Sequence, residues 1–384
     1  MKTKKMLTAN LRPGMIAFED TYTSNNQLVI QSNTTLTPEI IDKLKYYAIR
    51  SIKVSIPEPG EEIPDSSQAE APQAAASHTE PAPSADNTAT IVGPTYFERV
   101  QESAEFQTFR KNFSSSIESF KDQLNDIVTK TNVSEVVDSM LKEVDNIISG
   151  TRNALHLLDM LQCLRGFDDL TYAHSMNVAL ICDVIGSWLN LSKEDRKILL
   201  LAGLLHDIGK LRIPPEIIKK PGKLTDDEFA QIRSHPQLGY DILKHKNLDN
   251  RVKLAALQHH ERFDGGGYPK HLTGPEISYF SAIVAIADVY EAMTANRVYR
   301  KGICPFKVIG MLEKEQNLYE PSILYMFMKR TIEAYINTDV LLSNGEKAKV
   351  VLLNQNIISR PIVITDVKAY DLSKEPGIEI ETLI

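Results

Sequence analysis

Between residues 106 and 127 apolar side chains recur at three- and four-residue steps. Phe106, Phe109, Phe113, Ile117, Phe120, Leu124 and Ile127 therefore fall on one stripe of a helix several turns long. A stripe that wide has to bury against something. Two places are open to it, the core of the helices that follow or the same face of a second copy in a helix pair. From 135 to 335 the three- and four-residue spacing persists, and Pro and Gly are confined to a few loops, so this stretch predicts an all-helical domain.

The two ends follow a different period. Arg12-Pro-Gly14 reads as a turn and Leu28-Val-Ile30 as a strand. Thr37 and Pro38 are an N-cap and a first helical residue for a face of Ile40, Ile41, Leu44 and Tyr47. Ile52, Val54 and Ile56 then alternate with polar residues as in a half-buried strand. Near the C-terminus Val340, Leu342, Ala348, Val350 and Leu352 alternate about Asn344-Gly345, a dipeptide suited to a tight hairpin. The expected fold is mainly α, with a small α+β N-terminal module and a C-terminal β-hairpin appendage. Its parts run 1–56, a disordered acidic Ala/Pro linker 57–95, amphipathic helices 96–150, a helical domain 151–335 and the appendage 336–384.

Composition sharpens this outline. The net charge of -7 is matched by seven acids in residues 58–90, where there is no Lys or Arg, so the remainder is neutral. A neutral body gives no field for long nucleic acid, and an anionic ligand would need a local cluster of cations. Cys163, Cys182 and Cys304 are widely spaced, which excludes a disulfide framework and a thiolate zinc site. The longest apolar run, Ile198 to Leu205, is far below a membrane span, and no apolar signal core follows Met1, so a reducing cytoplasm is the expected setting.

Five histidines stand out because they sit among carboxylates and glycine-rich loops. His206-Asp207-Ile-Gly-Lys210 follows an apolar helix, so that an imidazole and a carboxylate emerge together. His259-His260-Glu-Arg-Phe-Asp264-Gly265-Gly-Gly267-Tyr268-Pro269 puts adjacent histidines before a backbone able to approach a ligand closely. Two neighbouring imidazoles point in different directions from one helix, which suits a two-metal site better than a single ion. Asp288 lies inside an apolar run, where an unpaired carboxylate would be costly. It is followed by Arg297, Arg300 and Lys301, side chains suited to phosphate oxygens.

Taken in order, Tyr172-x-His174-Ser, His206-Asp207-x-Gly-Lys210, His235-x-x-x-Gly239, the undecapeptide ending in Gly267-Tyr268-Pro269 and Asp288-Val-Tyr resemble the HD-GYP family over about residues 150–335. The resemblance implies a helical HD-type metallophosphohydrolase domain that hydrolyses cyclic di-GMP to pGpG, in some members on to GMP. It implies one metal on His174, His206, Asp207 and Asp288 and a second on His235, His259 and His260, with Asp207 bridging. Lys210 would neutralise the phosphate, and Arg297, Arg300 and Lys301 would hold substrate. Members of the three-metal type carry Glu four residues before the first histidine ligand; here Leu170 stands there, so two divalent ions are expected, iron or manganese by resemblance.

The resemblance further implies contacts between diguanylate cyclase domains and the loop of Asp264, Gly265, Gly267, Tyr268 and Pro269. Glu291, where the family often has Asp, lies one turn past Asp288 and is expected behind the ligands. Two other readings stay open: a cyclic di-GMP sensor or adaptor without turnover, and a phosphodiesterase for another cyclic dinucleotide. A homodimer also stays open through the amphipathic stripe.

Overall fold

The computed structural model describes residues 2–7, 11–22, 28–37, 40, 44, 51–56, 95–164, 170–220, 222–295 and 302–384. The chain divides into Met1–Asn87 and Thr88–Ile384. The acidic stretch expected to be a linker lies outside the described residues from 57 to 94, as do Ile41 and Tyr47.

In the first unit Ser51–Ile56 is the central strand, antiparallel to Lys2–Leu7 on one side and to Ile16–Ala17 on the other. Ile52 and Val54 face a small core with Leu11, Ala17, Ile30, Leu36 and Leu44. Thr37 Oγ1 accepts from the Ile40 N–H at 3.3 Å, as the expected N-cap requires. The strand Lys2–Leu7 has no counterpart in the sequence reading, because its Lys-Thr-Lys-Lys run shows no apolar alternation.

The second unit is built on helices. Ser103 caps Ala104–Thr129 by accepting from the Phe106 N–H, and all seven residues of its stripe are buried in the main core. Phe120 meets Tyr172 edge to face at 6.4 Å, which seats the stripe on the helix Leu170–Trp188. Asp159, buried on Ala154–Cys163, accepts from Tyr96 Oη at 2.6 Å and from Tyr335 Oη at 3.1 Å, pinning the first and last helical turns to one point. No helix among the described residues is long and apolar enough to cross a membrane.

The C-terminal part is larger than a hairpin. Asp339–Leu342 and Lys347–Leu352 pair about Gly345 as expected. They are the centre of a five-stranded antiparallel sheet completed by Ile380–Leu383 on one side and Ile362–Ile364 and Ala369–Asp371 on the other. The added strands are three or four residues long, too short for an alternation to be read. Val340, Leu342, Ala348 and Val350 join the helical core, but Leu352 is 57% exposed. A register shift between Val350 and Leu352 breaks the alternation and turns Leu352 outward.

Candidate metal centre

Five helices deliver the histidines and carboxylates to one place. Leu170–Trp188 carries His174, and Lys193–Leu205 ends where His206 and Asp207 begin. His235 opens His235–Leu243, His259 and His260 follow Asn250–Gln258, and Tyr279–Thr294 carries Asp288 and Glu291. After Leu205 the backbone tightens into the 3-10 turn Ile208–Arg212, and Gly209 packs directly on the start of the next histidine helix. A Cβ on Gly209 would lie 1.9 Å from the carbonyl oxygen of His235 and 2.5 Å from the nitrogen of Gly239. Two short glycine motifs far apart in sequence thus press the Asp207 turn against His235.

Asp207 stands at the middle with its two oxygens facing opposite ways. Oδ1 lies 3.2 Å from His235 Nε2 and 3.6 Å from His259 Nε2, while Oδ2 lies 3.4 Å from His206 Nε2 and 3.6 Å from His174 Nε2. The donor atoms form two groups that could each hold an ion, Asp207 with His235, His259 and His260, and Asp207 with His174 and His206. Asp288 borders the second group, its Oδ1 3.1 Å from His174 Nε2.

The hydrogen bonds behind the rings fix which nitrogens face inward. Nδ1 of His206, His235 and His259 lies at 2.7, 2.7 and 3.0 Å from the carbonyl oxygens of Gly203, Ile232 and Ala255. A carbonyl only accepts, so each Nδ1 carries a proton and each ring turns its Nε2 to the centre. Nε2 of His235 and Nε2 of His259 then face each other at 3.1 Å. Two lone pairs at that distance repel unless a cation or a shared proton lies with them. His206 Nε2 and Asp207 Oδ1 are likewise buried and have no hydrogen-bond partner among the described residues. These orphaned inward atoms, all imidazole nitrogen or carboxylate oxygen, fit divalent transition metals.

Charge in the cluster follows from burial. Burial and the neighbouring imidazoles push His259 down to about 4, and His260 is driven further down by burial and by His259. Burial alone would lower His174 too, but Glu291 and Asp288 outweigh it and raise it to about 10. Burial would raise Asp207, yet Lys210 and His206 hold it well below the usual carboxylate range, and His174 does the same for Asp288. The metal-free centre therefore keeps ionised carboxylates balanced by His174 and Lys210, a balance metal ions would take over by displacing protons.

Residues 158–323 match the HD domain family. The chain is 37% identical over 187 residues to a cyclic di-GMP phosphodiesterase of Pseudomonas aeruginosa, covering 48% of this chain and 45% of that protein. It is 40% identical over 138 residues to a cyclic di-GMP phosphodiesterase response regulator of Xanthomonas campestris, covering 35% and 36%. A 3'3'-cGAMP-specific phosphodiesterase of Vibrio cholerae is 41% identical over 145 residues, covering 38% and 34%. Over residues 158–323 the chain carries an HD domain. It spans less than half the length of each of these curated relatives.

Within the HD domain, His174, His206, Asp207, His235, His259, His260 and Asp288 all come together. Lys210 joins them through the 3-10 turn Ile208–Arg212, which brings its Nζ within 2.5 Å of Asp207 Oδ2. Arg297, Arg300 and Lys301 lie outside the described residues; Leu170 begins its helix.

The loop ending in Gly267-Tyr268-Pro269 folds against His260. Tyr268 stacks on its ring at 4.7 Å and 21°, and the Tyr268 N–H donates to the His260 carbonyl at 3.1 Å. Gly267 permits this closeness, since a Cβ there would lie 2.5 Å from the His260 carbonyl oxygen. Asp264 is exposed and caps the loop by accepting from the Gly266 N–H, Gly265 has φ of 82°, and the Tyr268–Pro269 peptide is cis. Glu261, which the sequence reading passed over, is buried and accepts from the N–H groups of Lys270 at 2.7 Å and Leu272 at 2.9 Å, clasping the far end of the loop. Its position beside two histidines and before a glycine run was the available signal.

Proposed function

We propose that this chain is a metal-dependent phosphodiesterase acting on a cyclic dinucleotide, with cyclic di-GMP as substrate and linear pGpG, and in a second step GMP, as product. The observation that carries the reading is Asp207, whose two oxygens address two separate histidine groups. His174, His206, Asp207 and Asp288 would hold one ion, and Asp207, His235, His259 and His260 the other, iron or manganese being the expected metals. When bound, such a pair lowers the pKa of water and offsets charge on the attacking and leaving oxygens of an in-line displacement.

The protein's own groups do the rest. The carbonyls of Gly203, Ile232 and Ala255 hold their imidazoles in one tautomer and orientation. Lys210, anchored on Asp207 and one-quarter exposed, stands at the edge of the cluster, where its charge balances a phosphate entering from solvent. The stacked Tyr268 shields one face of His260 from water. Arg297, Arg300 and Lys301 would supply further phosphate contacts.

A second substrate is favoured by the resemblance to the 3'3'-cGAMP-specific relative, so both cyclic dinucleotides belong in one test. Purified protein loaded anaerobically with iron or manganese is incubated with each, and products are separated by chromatography. The control is His206→Ala/Asp207→Ala, with metal counted on the same samples. Linear product from the wild type alone, with about two ions per chain, is the expected result. Full metal loading and tight nucleotide binding without product would replace this reading with that of a sensor.

A further inference from the structure

Arg233 and Arg262 stand apart from the paired cations near the histidine helices, and Arg262 lies over the Tyr319 ring at 5.3 Å and donates to the carbonyls of His259 and Glu261. Lys220 pairs with Glu228, Lys244 with Asp241, and Arg251 with both Asp195 and Asp249. Arg233 has no ion-pair partner among the described residues and is held by aromatic faces instead. Its Cζ lies 4.5 Å from the centre of the Tyr268 ring and 6.0 Å from that of Phe229. Tyr268 in turn stacks on His260, so Arg233, Tyr268 and His260 form one column ending at the candidate metal centre. Arg233 also closes Asp226–Arg233 just before His235 begins the next helix, which ties its backbone to that centre.

A guanidinium held over a ring by a cation–π contact engages no acceptor there and keeps its N–H groups for acceptors. Those donors form a fork that matches two oxygens of one phosphate. A cyclic dinucleotide carries two phosphodiesters, and only one of them can lie at Asp207 during a given cleavage. The other needs a cation displaced from the cluster and not already committed to a carboxylate, a role to be shared with the phosphate contacts assigned above to Arg297, Arg300 and Lys301. Lys210 does not meet that need, since it is bonded to Asp207.

We propose that Arg233 is a substrate-binding residue that grips the second, non-scissile phosphate of the cyclic dinucleotide, with Tyr268 as the platform that holds it in place. The proposal rests on the cyclic dinucleotide reading above and adds the residue that would distinguish a two-phosphate substrate from a simple diester.

The test compares wild type, Arg233→Gln and Arg233→Lys on cyclic di-GMP and on bis(p-nitrophenyl) phosphate, which has a single phosphate. For Arg233→Gln the expected result is a KM for cyclic di-GMP raised about tenfold or more, with kcat little changed. Both constants for the small diester, the metal content and Tm should stay at wild-type values. Arg233→Lys, which keeps the charge and loses the fork, should fall between. Equal losses on both substrates, or a loss of metal, would make Arg233 a support of the loop and overturn the proposal; so would unchanged constants on both. Wild-type protein that cleaved the small diester and no cyclic dinucleotide would remove the substrate reading itself, and the inference with it.

Discussion

Glu291 Oε2 lies 2.5 Å from Nδ1 of His174, a residue 117 positions earlier in the chain, while Asn177 holds the other Glu291 oxygen at 3.0 Å. A buried carboxylate behind an imidazole fixes the ring and makes its inward nitrogen a stronger ligand. Glu291→Gln keeps the size and removes the charge, so His174 should become less basic. Metal affinity at this group is expected to fall by about 10- to 100-fold, with little change in Tm. Titration of the metal-free variant with manganese measures it, and an affinity equal to wild type would show that Glu291 does not tune the ligand.

Gly209 allows the Asp207 turn to touch the start of the His235 helix. In Gly209→Ala the new methyl would fall 1.9 Å from the His235 carbonyl oxygen, so the backbone must move. The expected cost is about 1–3 kcal/mol, as for other overpacked sites, and with it a loss of metal affinity at the group of Asp207, His235, His259 and His260. Gly377→Ala is the control, since nothing lies within 4 Å of its added Cβ. Urea unfolding and metal content should separate the two variants, and matching behaviour would sink the packing argument.

How much of this was legible in the sequence depended on what carried the signal. The Phe106 to Ile127 stripe and the seven candidate ligands could be read, because helical spacing and short motifs are local. The clasp of Glu261, the Arg233 column and the Gly209–Gly239 approach join residues that meet only after folding, and beyond the place of Glu261 between paired histidines and a glycine run no local pattern marks them. The C-terminal sheet was half visible for a related reason. Its hairpin has a turn dipeptide and alternation, whereas its edge strands are too short to show a period, and the shift after Val350 inverts the side of Leu352.

The stripe yields a prediction of its own. Phe113 is fully buried between turns of its own helix and the rest of the core, its ring 6.0 Å from Phe109. Phe113→Ala should lower stability by about 3–5 kcal/mol, the range for large buried aromatics, without changing the mass of the particle in solution. Unfolding curves and light scattering check the two parts. A dimer that falls apart with little loss of monomer stability would assign the stripe to an interface between copies.

The last prediction concerns pH. Asp159 is held at about 6, above its ordinary value of 3.8, because burial outweighs the hydrogen bonds from Tyr96 and Tyr335. A raised carboxyl binds its proton more tightly in the folded chain than in the unfolded one. Its contribution is therefore most favourable below about pH 4, is lost as pH rises through about 6, and is constant beyond that. The difference corresponds to about 3 kcal/mol at about 1.4 kcal/mol per unit. Asp159→Asn cannot ionise, and its amide can still accept from one tyrosine and donate to the other. The stability of Asp159→Asn relative to wild type should thus increase between pH 4.5 and pH 8, whatever the histidine cluster does to both proteins alike. Urea unfolding of the two proteins at both pH values measures that difference of differences. A value that stays flat or falls with pH would mean that Asp159 ionises in the fold as readily as in water, and that its two tyrosines fully compensate its burial.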